Sequence, residues 1–351
     1  MAAAQTRPGD ARTEAPNNKG VVEIITGTSS GISVRIAEDL ASVVDDGATR
    51  RVLPVVGRGA IQNITDLRLL HGIDMAILQL DVVDAYKQSA REGSLTYIAK
   101  LYNEEFHLLA RRDIKTVADL ANQKVNVDRA SGGSATTAGR IFGLLKIPAV
   151  WTNDDQEVAI EKLRKGEIAA IAYVTGKPAP LFRGVKSAEG LHFLAIPLRS
   201  DITGAYVPTR LTAADYPDII ASDQPVDTVA VGAVLAVANL NPLSDRYHYV
   251  ANFVDVFFTK FDSLLEPGHH PKWREVNLTA ELPGWRRFGP ADVWLKRNAN
   301  VASESNPQEI RAIFSRYIEE RRKATGGADM TQQQKDELFK QFQRWQAEQR
   351  R

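Results

Sequence analysis

The stretch Val21-Val22-Glu23-Ile24-Ile25-Thr26-Gly27-Thr28-Ser29-Ser30-Gly31-Ile32 decides the fold of this chain. Val21 to Ile25 is an apolar, β-branched run of strand type, and from Gly31 to Val44 the residues Ile32, Ile36, Leu40 and Val43/Val44 fall on one face at helical spacing. A Gly-, Ser- and Thr-bearing turn joins the two. The same handover recurs twice. Val52 to Val56 leads through Gly57-Arg58-Gly59 into a helix carrying Ile61, Ile64, Leu67 and Leu70, and Met75 to Leu78 leads through Gln79-Leu80-Asp81 into the next. A β-α-β-α-β unit of this kind predicts an open parallel sheet. In such a sheet the loops at the carboxyl ends of the strands converge on one crevice, where helix N-termini present N–H groups and the positive ends of their dipoles. The three loops therefore describe a site for a small polar or anionic ligand.

Beyond this unit the pattern continues. Leu95 to Leu101 and Phe106 to Ala110 read as two extended runs joined by the polar break Asn103-Glu104-Glu105, which places a crossing between lobes there. A second strand-helix series follows: a short helix at Val117 to Leu120, a strand at Lys124 to Val127, the turn Ser131-Gly132-Gly133-Ser134, and a helix from Ala138 to Leu145. Next come a helix from Val158 to Leu163, a strand from Ile168 to Val174 and the turn Thr175-Gly176-Lys177-Pro178. Tyr206 to Asp227 carries Pro208, Pro217 and Pro225, shows little periodicity and reads as a returning linker. Val229 to Ala238 then reads as a strand back into the first lobe, followed by a helix from Tyr247 to Phe261. The expected organisation is a flexible N-terminus (1–20), a first lobe (21–103), a second lobe (104–226), a returning part of the first lobe (227–300) and a C-terminal helical extension (301–351). Two crossings make a hinge. In the extension, Ile310, Ile313, Phe314, Tyr317 and Ile318 form one apolar stripe and Leu338, Phe342 and Trp345 another. Such stripes ordinarily pack on the chain's own surface; the alternative is a docking element for a protein partner.

The composition narrows the function. A chain of 351 residues with 44% apolar content can fill two cores, and 44 Lys+Arg against 43 Asp+Glu gives no basic excess for nucleic acid. The absence of cysteine excludes disulfides, thiolate metal sites and thiol nucleophiles. Val226 to Leu240, the longest apolar run, is interrupted by Asp227, Thr228 and Asn239, so no segment has the length of a membrane span. Met1-Ala2-Ala3-Ala4-Gln5 looks like the Ala-rich end of an export cleavage site behind an added Met, which gives the expectation of a mature exported protein without its signal peptide; the alternative is an ordinary flexible terminus.

Several chemistries are excluded by motif. Gly176-Lys177 is followed by proline and has no upstream glycine, so it is no phosphate loop, and Gly57-Arg58-Gly59-Ala60-Ile61-Gln62 has Gln62 where a dinucleotide fingerprint needs glycine. There is no G-x-S-x-G elbow. The six histidines have no metal-ligand spacing, and no carboxylate pair stands out as acid and base; the expectation is no enzyme, no cofactor and no metal. The polar turns remain. Each by itself is what an ordinary strand-to-helix connection uses, but five of them across two lobes favour binding.

The ordered set of turns resembles the TAXI-type solute-binding subunits of TRAP transporters, within the type II periplasmic binding protein fold. The resemblance is carried by Thr26-Gly27-Thr28-Ser29-Ser30-Gly31, by Val55-Val56-Gly57-Arg58-Gly59-Ala60-Ile61-Gln62-Asn63-Ile64, and by Gly72-Ile73-Asp74-Met75-Ala76-Ile77-Leu78-Gln79-Leu80-Asp81. In the middle lobe it is carried by Leu101-Tyr102-Asn103-Glu104, by Ile114 to Leu120 and by Gly176-Lys177-Pro178-Ala179-Pro180, and it spans roughly residues 20 to 260. Ser33 and Val34 stand where that family usually has aromatic residues, and Gly132-Gly133-Ser134 stands for its Ser-Gly-Thr. The resemblance implies an α/β, two-lobed protein that closes on a small organic anion, a carboxylate or amino acid, and delivers it to TRAP-type membrane permease subunits. The expected ligand-binding residues are Thr28, Ser29, Gly31, Gly132, Gly133 and Ser134 through their turns, and Asn63 and Gln79 as orienting groups. Asp81 and Ser131 are expected to bind the ligand as well, Arg58 is the candidate carboxylate partner by its two parallel donors, and Gly176 and Pro178 shape the second-lobe wall. Three other readings stay open: a sensory or scaffold protein whose C-terminal helices dock a partner, a cytoplasmic enzyme on the same fold, and a lobe pair that no longer binds.

Overall fold

The computed structural model describes residues 20–28, 31–89 and 95–304. Its elements in chain order are β1 (Val21–Thr26), α1 (Ile32–Val44), β2 (Arg51–Val56), α2 (Ala60–Leu69), β3 (Ile73–Gln79), α3 (Leu80–Ser89), β4 (Leu95–Arg111), β5 (Lys124–Asn126) and α4 (Gly133–Leu145). They continue with β6 (Val150–Thr152), α5 (Gln156–Arg164), β7 (Ala170–Thr175), β8 (Leu191–Phe193), α6 (Ser200–Thr203), β9 (Val207–Leu211), β10 (Val226–Ala238), α7 (Asp245–Thr259) and α8 (Gly289–Glu304). The apolar stripes from Ile310 to Trp345 lie outside the described residues. Among the described residues, no helix is long and apolar enough to cross a membrane.

Ten strands join in the order β2-β1-β3-β10-β4-β7-β5-β6, with β8 beside β4 and β9 beside β10. The first lobe is built as its sequence period demands. β1 pairs in parallel with β2 and β3, and Pro54 is accommodated because β2 is an edge strand. Helix α1 buries Ile32, Ile36, Leu40 and Val44, each worth about 1.5–3 kcal/mol. That outweighs the cost of taking Asp39 inside, the more so because Asp39 is satisfied by Trp273 Nε1 (2.9 Å), the His270 amide (2.7 Å) and Arg35 Nε (3.3 Å). In the second lobe the strand period of two sorts side chains between two cores. On β7, Ala170, Ala172 and Val174 pack with Phe106, Leu108, Ile141 and Phe142, while Ile171 and Tyr173 pack with Leu109, Phe182 and Tyr216.

Two long strands carry the chain between the lobes. β4 starts beside the end of β10, with Leu95 opposite Ala238, and ends between β7 and β8, with Ala110 opposite Ala170 and His192. β10 starts beside β9, with Val226 opposite Leu211, and ends beside β3, with Val237 opposite Met75. The polar break expected at Asn103-Glu104-Glu105 does not interrupt β4. All three residues stay in the ladder opposite Gly232, Val231 and Ala230, so the expected boundary between residues 103 and 104 falls inside one strand. Their side chains find partners off the strand, Glu104 with Gln79 and Glu105 with Lys272 Nζ at 2.6 Å, which removes the cost that would have broken it. The linker expected from Tyr206 to Asp227 contains β9, whose Pro208 sits at the sheet margin where a missing N–H costs little.

Candidate functional site

Three helices begin at one cleft. The N-cap residues of α1, α2 and α4 are Gly31, Gly59 and Gly132, none of which has a side chain of its own to cap the first turn. All three glycines line the cleft, together with Thr28 and Ser33 on α1's side, Ala60 and Asn63 on α2's, and Gly133 and Ser134 on α4's. Helix N-termini leave N–H groups without intrahelical partners and carry about half a positive charge each, so three of them aimed at one space make an anion-attracting field without a basic side chain. The open volume is about 80 Å3, room for roughly five to eight water-sized groups.

The walls are set by glycines and carboxamides. Asn63 is buried; its Nδ2 donates to the Thr26 carbonyl at 2.6 Å, which turns Oδ1 toward Gly57, where a Cβ would overlap it. Gln79 ends β3 and donates through Nε2 to Glu104, which turns Oε1 onto Gly133; a Cβ there would overlap the carboxamide as well. Both oxygens, and the hydroxyl of Thr175 at the end of β7, are buried without a hydrogen-bond partner. Gly59 has φ 137°, a backbone only glycine adopts freely, and it lies against Ser131. Ser33 Oγ accepts from the Gly27 amide at 3.0 Å and closes the first turn, and Ser134 Oγ accepts from Val174 N at 3.0 Å and ties α4 to β7.

Two acids share this lining. Burial pushes the Glu104 carboxyl up to about 7 against the opposing hydrogen bonds from Gln79 and from the Tyr102 hydroxyl at 3.3 Å. Burial also raises Asp128, which follows β5. No Lys, Arg or His is among the lining residues, and among the described residues no group of three His, Cys, Asp or Glu could hold a metal ion.

The lobes touch beside the cleft. The Ile61 amide donates to the Ser131 carbonyl at 3.2 Å, joining the start of α2 to the turn before α4. Asp81, in the first turn of α3, accepts from Thr137 Oγ1 on α4 at 2.7 Å and from the Tyr206 hydroxyl at 2.9 Å. Burial raises its carboxyl although both hydrogen bonds pull the other way.

Of the residues expected from sequence, the structure brings Thr28, Gly31, Asn63, Gln79, Gly132, Gly133 and Ser134 together around the cleft. Asp81 and Ser131 stand beside it as contacts between lobes. Arg58 has a side chain 73% exposed, 4.0 Å from Asp66, outside the lining. Gly176 packs on Ile32, where a Cβ would overlap, and Pro178 follows a cis peptide bond in the same turn; neither lines the cleft. Ser29 lies outside the described residues. Sequence reasoning passed over Glu104, Asp128, Tyr173 and Thr175. None carried a usable signal: Glu104 sits in a polar triplet that reads as a break, and the roles of the others come from strand ends meeting in space.

A two-lobed sheet with one reversed long strand in each lobe, β10 in the first and β4 in the second, and a cleft at the carboxyl ends of its parallel strands, is the type II periplasmic-binding-protein fold. The chain belongs to the NMT1-like family, whose model matches residues 24–265. The periplasmic binding protein BugD superposes with a TM-score of 0.51 at 11% identity, over 81% of this chain and 94% of that one, which shows the shared fold. Two further likenesses are a periplasmic transporter (TM-score 0.48, 11% identity, 81% and 93% covered) and the alkanesulfonate-binding protein SsuA from Xanthomonas axonopodis pv. citri (0.46, 13%, 79% and 83%). No curated protein matches the sequence.

Proposed function

We propose that this chain is an extracytoplasmic solute-binding protein of the TAXI type, which closes its lobes on a small organic anion and delivers it to a TRAP-type membrane permease. The observation that carries the binding reading is the convergence of three helix N-termini, each with glycine at its N-cap, on one small cleft between the lobes. A carboxylate offers such a site two acceptor oxygens and a full negative charge, and the cleft volume restricts it to a molecule of metabolite size. The transport role and the periplasmic location rest on the resemblance of the turns and on the fold shared with BugD. Because ligand contacts both lobes, it binds the closed arrangement better than an open one and so drives closure.

The test is a thermal-shift screen of the purified chain against organic acids, amino acids and sugars. A ligand at about 100 times its Kd adds about 2.7 kcal/mol of stability by mass action, a clear rise in Tm. A carboxylate-specific shift that disappears in Asn63→Ala or Gln79→Ala is the expected result; a shift with sugars alone, or none with any compound, overturns the anion reading.

A further inference from the structure

An anion in this cleft meets a difficulty that the helix ends alone do not resolve. Among the described residues, the lining holds two buried carboxyls, Glu104 and Asp128, and no basic side chain. A like charge brought near a buried carboxylate disfavours its ionised form. Glu104 is placed to yield. It lies on β4, where the strand passes from one lobe to the other, and it is 7% exposed. Its Oε2 accepts from Gln79 Nε2, while Oε1 meets the Tyr102 hydroxyl at 3.3 Å. A hydroxyl both donates and accepts. A proton arriving on Oε1 therefore has an acceptor in the Tyr102 oxygen once that hydroxyl turns its own proton away from the carboxylate.

The surrounding charges do not neutralise Glu104. On its own strand, Glu105 is paired with Lys272 Nζ at 2.6 Å, and Lys272 is shared with Glu275, also at 2.6 Å, so that lysine is already committed to two carboxylates. Lys100 on the same strand has its Nζ 3.0 Å from Asn103 Oδ1. Asp81 at the start of α3 is turned to Thr137 and Tyr206. The other ionisable groups on the cleft are Asp128 after β5 and Tyr173 on β7.

We propose that the ligand anion and a proton bind together, the proton residing on Glu104 Oε1 and donated to the Tyr102 hydroxyl. This rests on the anion reading of the cleft. Binding is then strongest where Glu104 is already protonated, and burial has brought that carboxyl up to about 7 before any ligand arrives. Affinity falls as pH rises through that value, by at most tenfold per pH unit for one linked proton.

The experiment is titration calorimetry of the full chain with propionate, lactate and alanine, all small enough for the cleft, at about pH 6 and about pH 8 in two buffers of different ionisation heat. Propionate or lactate is expected to bind about tenfold more weakly at the higher pH, with close to one proton taken up there. Glu104→Gln is expected to bind equally at both pH values and without proton uptake. Wild-type affinity that does not change with pH overturns the proposal, as does proton uptake that persists in Glu104→Gln. Binding of alanine alone also overturns it, because Glu104 then pairs with the ligand's ammonium group. Failure of all three compounds at both pH values strikes the anion site itself and is distinct from these outcomes. The wild-type proton count requires no variant, so the result stands even where Glu104→Gln does not fold.

Discussion

Gly133 and Gly139 lie six residues apart on α4 and show opposite uses of the same residue. At Gly133 a Cβ would overlap the Gln79 oxygen, and Gln79 cannot move aside freely because Glu104 holds its amide nitrogen. At Gly139 a Cβ would meet nothing within 4 Å. Gly133→Ala is expected to lose about 1–3 kcal/mol by overpacking and to abolish ligand binding, whereas Gly139→Ala is expected to gain about 0.5–1 kcal/mol as a helix-interior change. Urea unfolding of both variants checks the pair, and equal midpoints would remove the argument that Gly133 is a close-approach site. Gly133 was legible in the sequence as part of a small-residue turn. Its partner was not, because Gln79 lies 54 positions earlier in the chain and only the folded sheet brings the two together.

Between elements, α3 meets α4 through the buried Asp81 carboxylate and the Thr137 hydroxyl, and the Tyr206 hydroxyl, beyond α6, reaches the same carboxylate. Thr137→Val keeps the shape of the side chain and removes one donor from Asp81, whose Oδ1 is already without a partner. Leaving a buried acceptor less satisfied costs about 1–3 kcal/mol. The cost falls on the arrangement in which the lobes touch, so Thr137→Val is expected to weaken ligand binding by a larger factor than it lowers the stability of the ligand-free protein. Measuring Kd and unfolding midpoint on the same variant separates the two, and an unchanged Kd counts against Asp81 as a contact that matters to closure. At this scale the helical periods of α1, α2 and α4 and the strand character of β1, β2, β3 and β7 were readable from apolar spacing. The continuity of β4 was not: a polar triplet inside a strand reads as a break until Lys272 and Gln79 are seen beside it. Nor was the start of α4, since glycine and serine in a first helical turn look the same as a loop.

For the whole molecule the proposed function predicts a ligand-dependent change in the separation of the lobes. Two strands, β4 and β10, carry the chain between lobes, and the contacts between the lobes beside the cleft include hydrogen bonds of Ile61, Ser131, Asp81, Thr137 and Tyr206 and the packing of Gly176 on Ile32 and of Gly133 on Gln79. Such an arrangement permits hinge motion on a scale that scattering can see. Addition of a saturating ligand is expected to reduce the radius of gyration and to narrow the distance between labels placed one on each lobe, a clean experiment because the chain has no native cysteine. Identical scattering with and without ligand would show that the lobes do not move. By itself, the sequence determined the class of fold and where most of the cleft-lining turns lie along the chain, because hydrophobic period and glycine-bearing strand ends are local properties written in consecutive residues. Only the tertiary structure decided which groups share the cleft. That turned a candidate arginine outward, brought Glu104 and Asp128 inward and set Asp81 between the lobes, because burial and charge pairing depend on residues that are neighbours in space and distant in the chain.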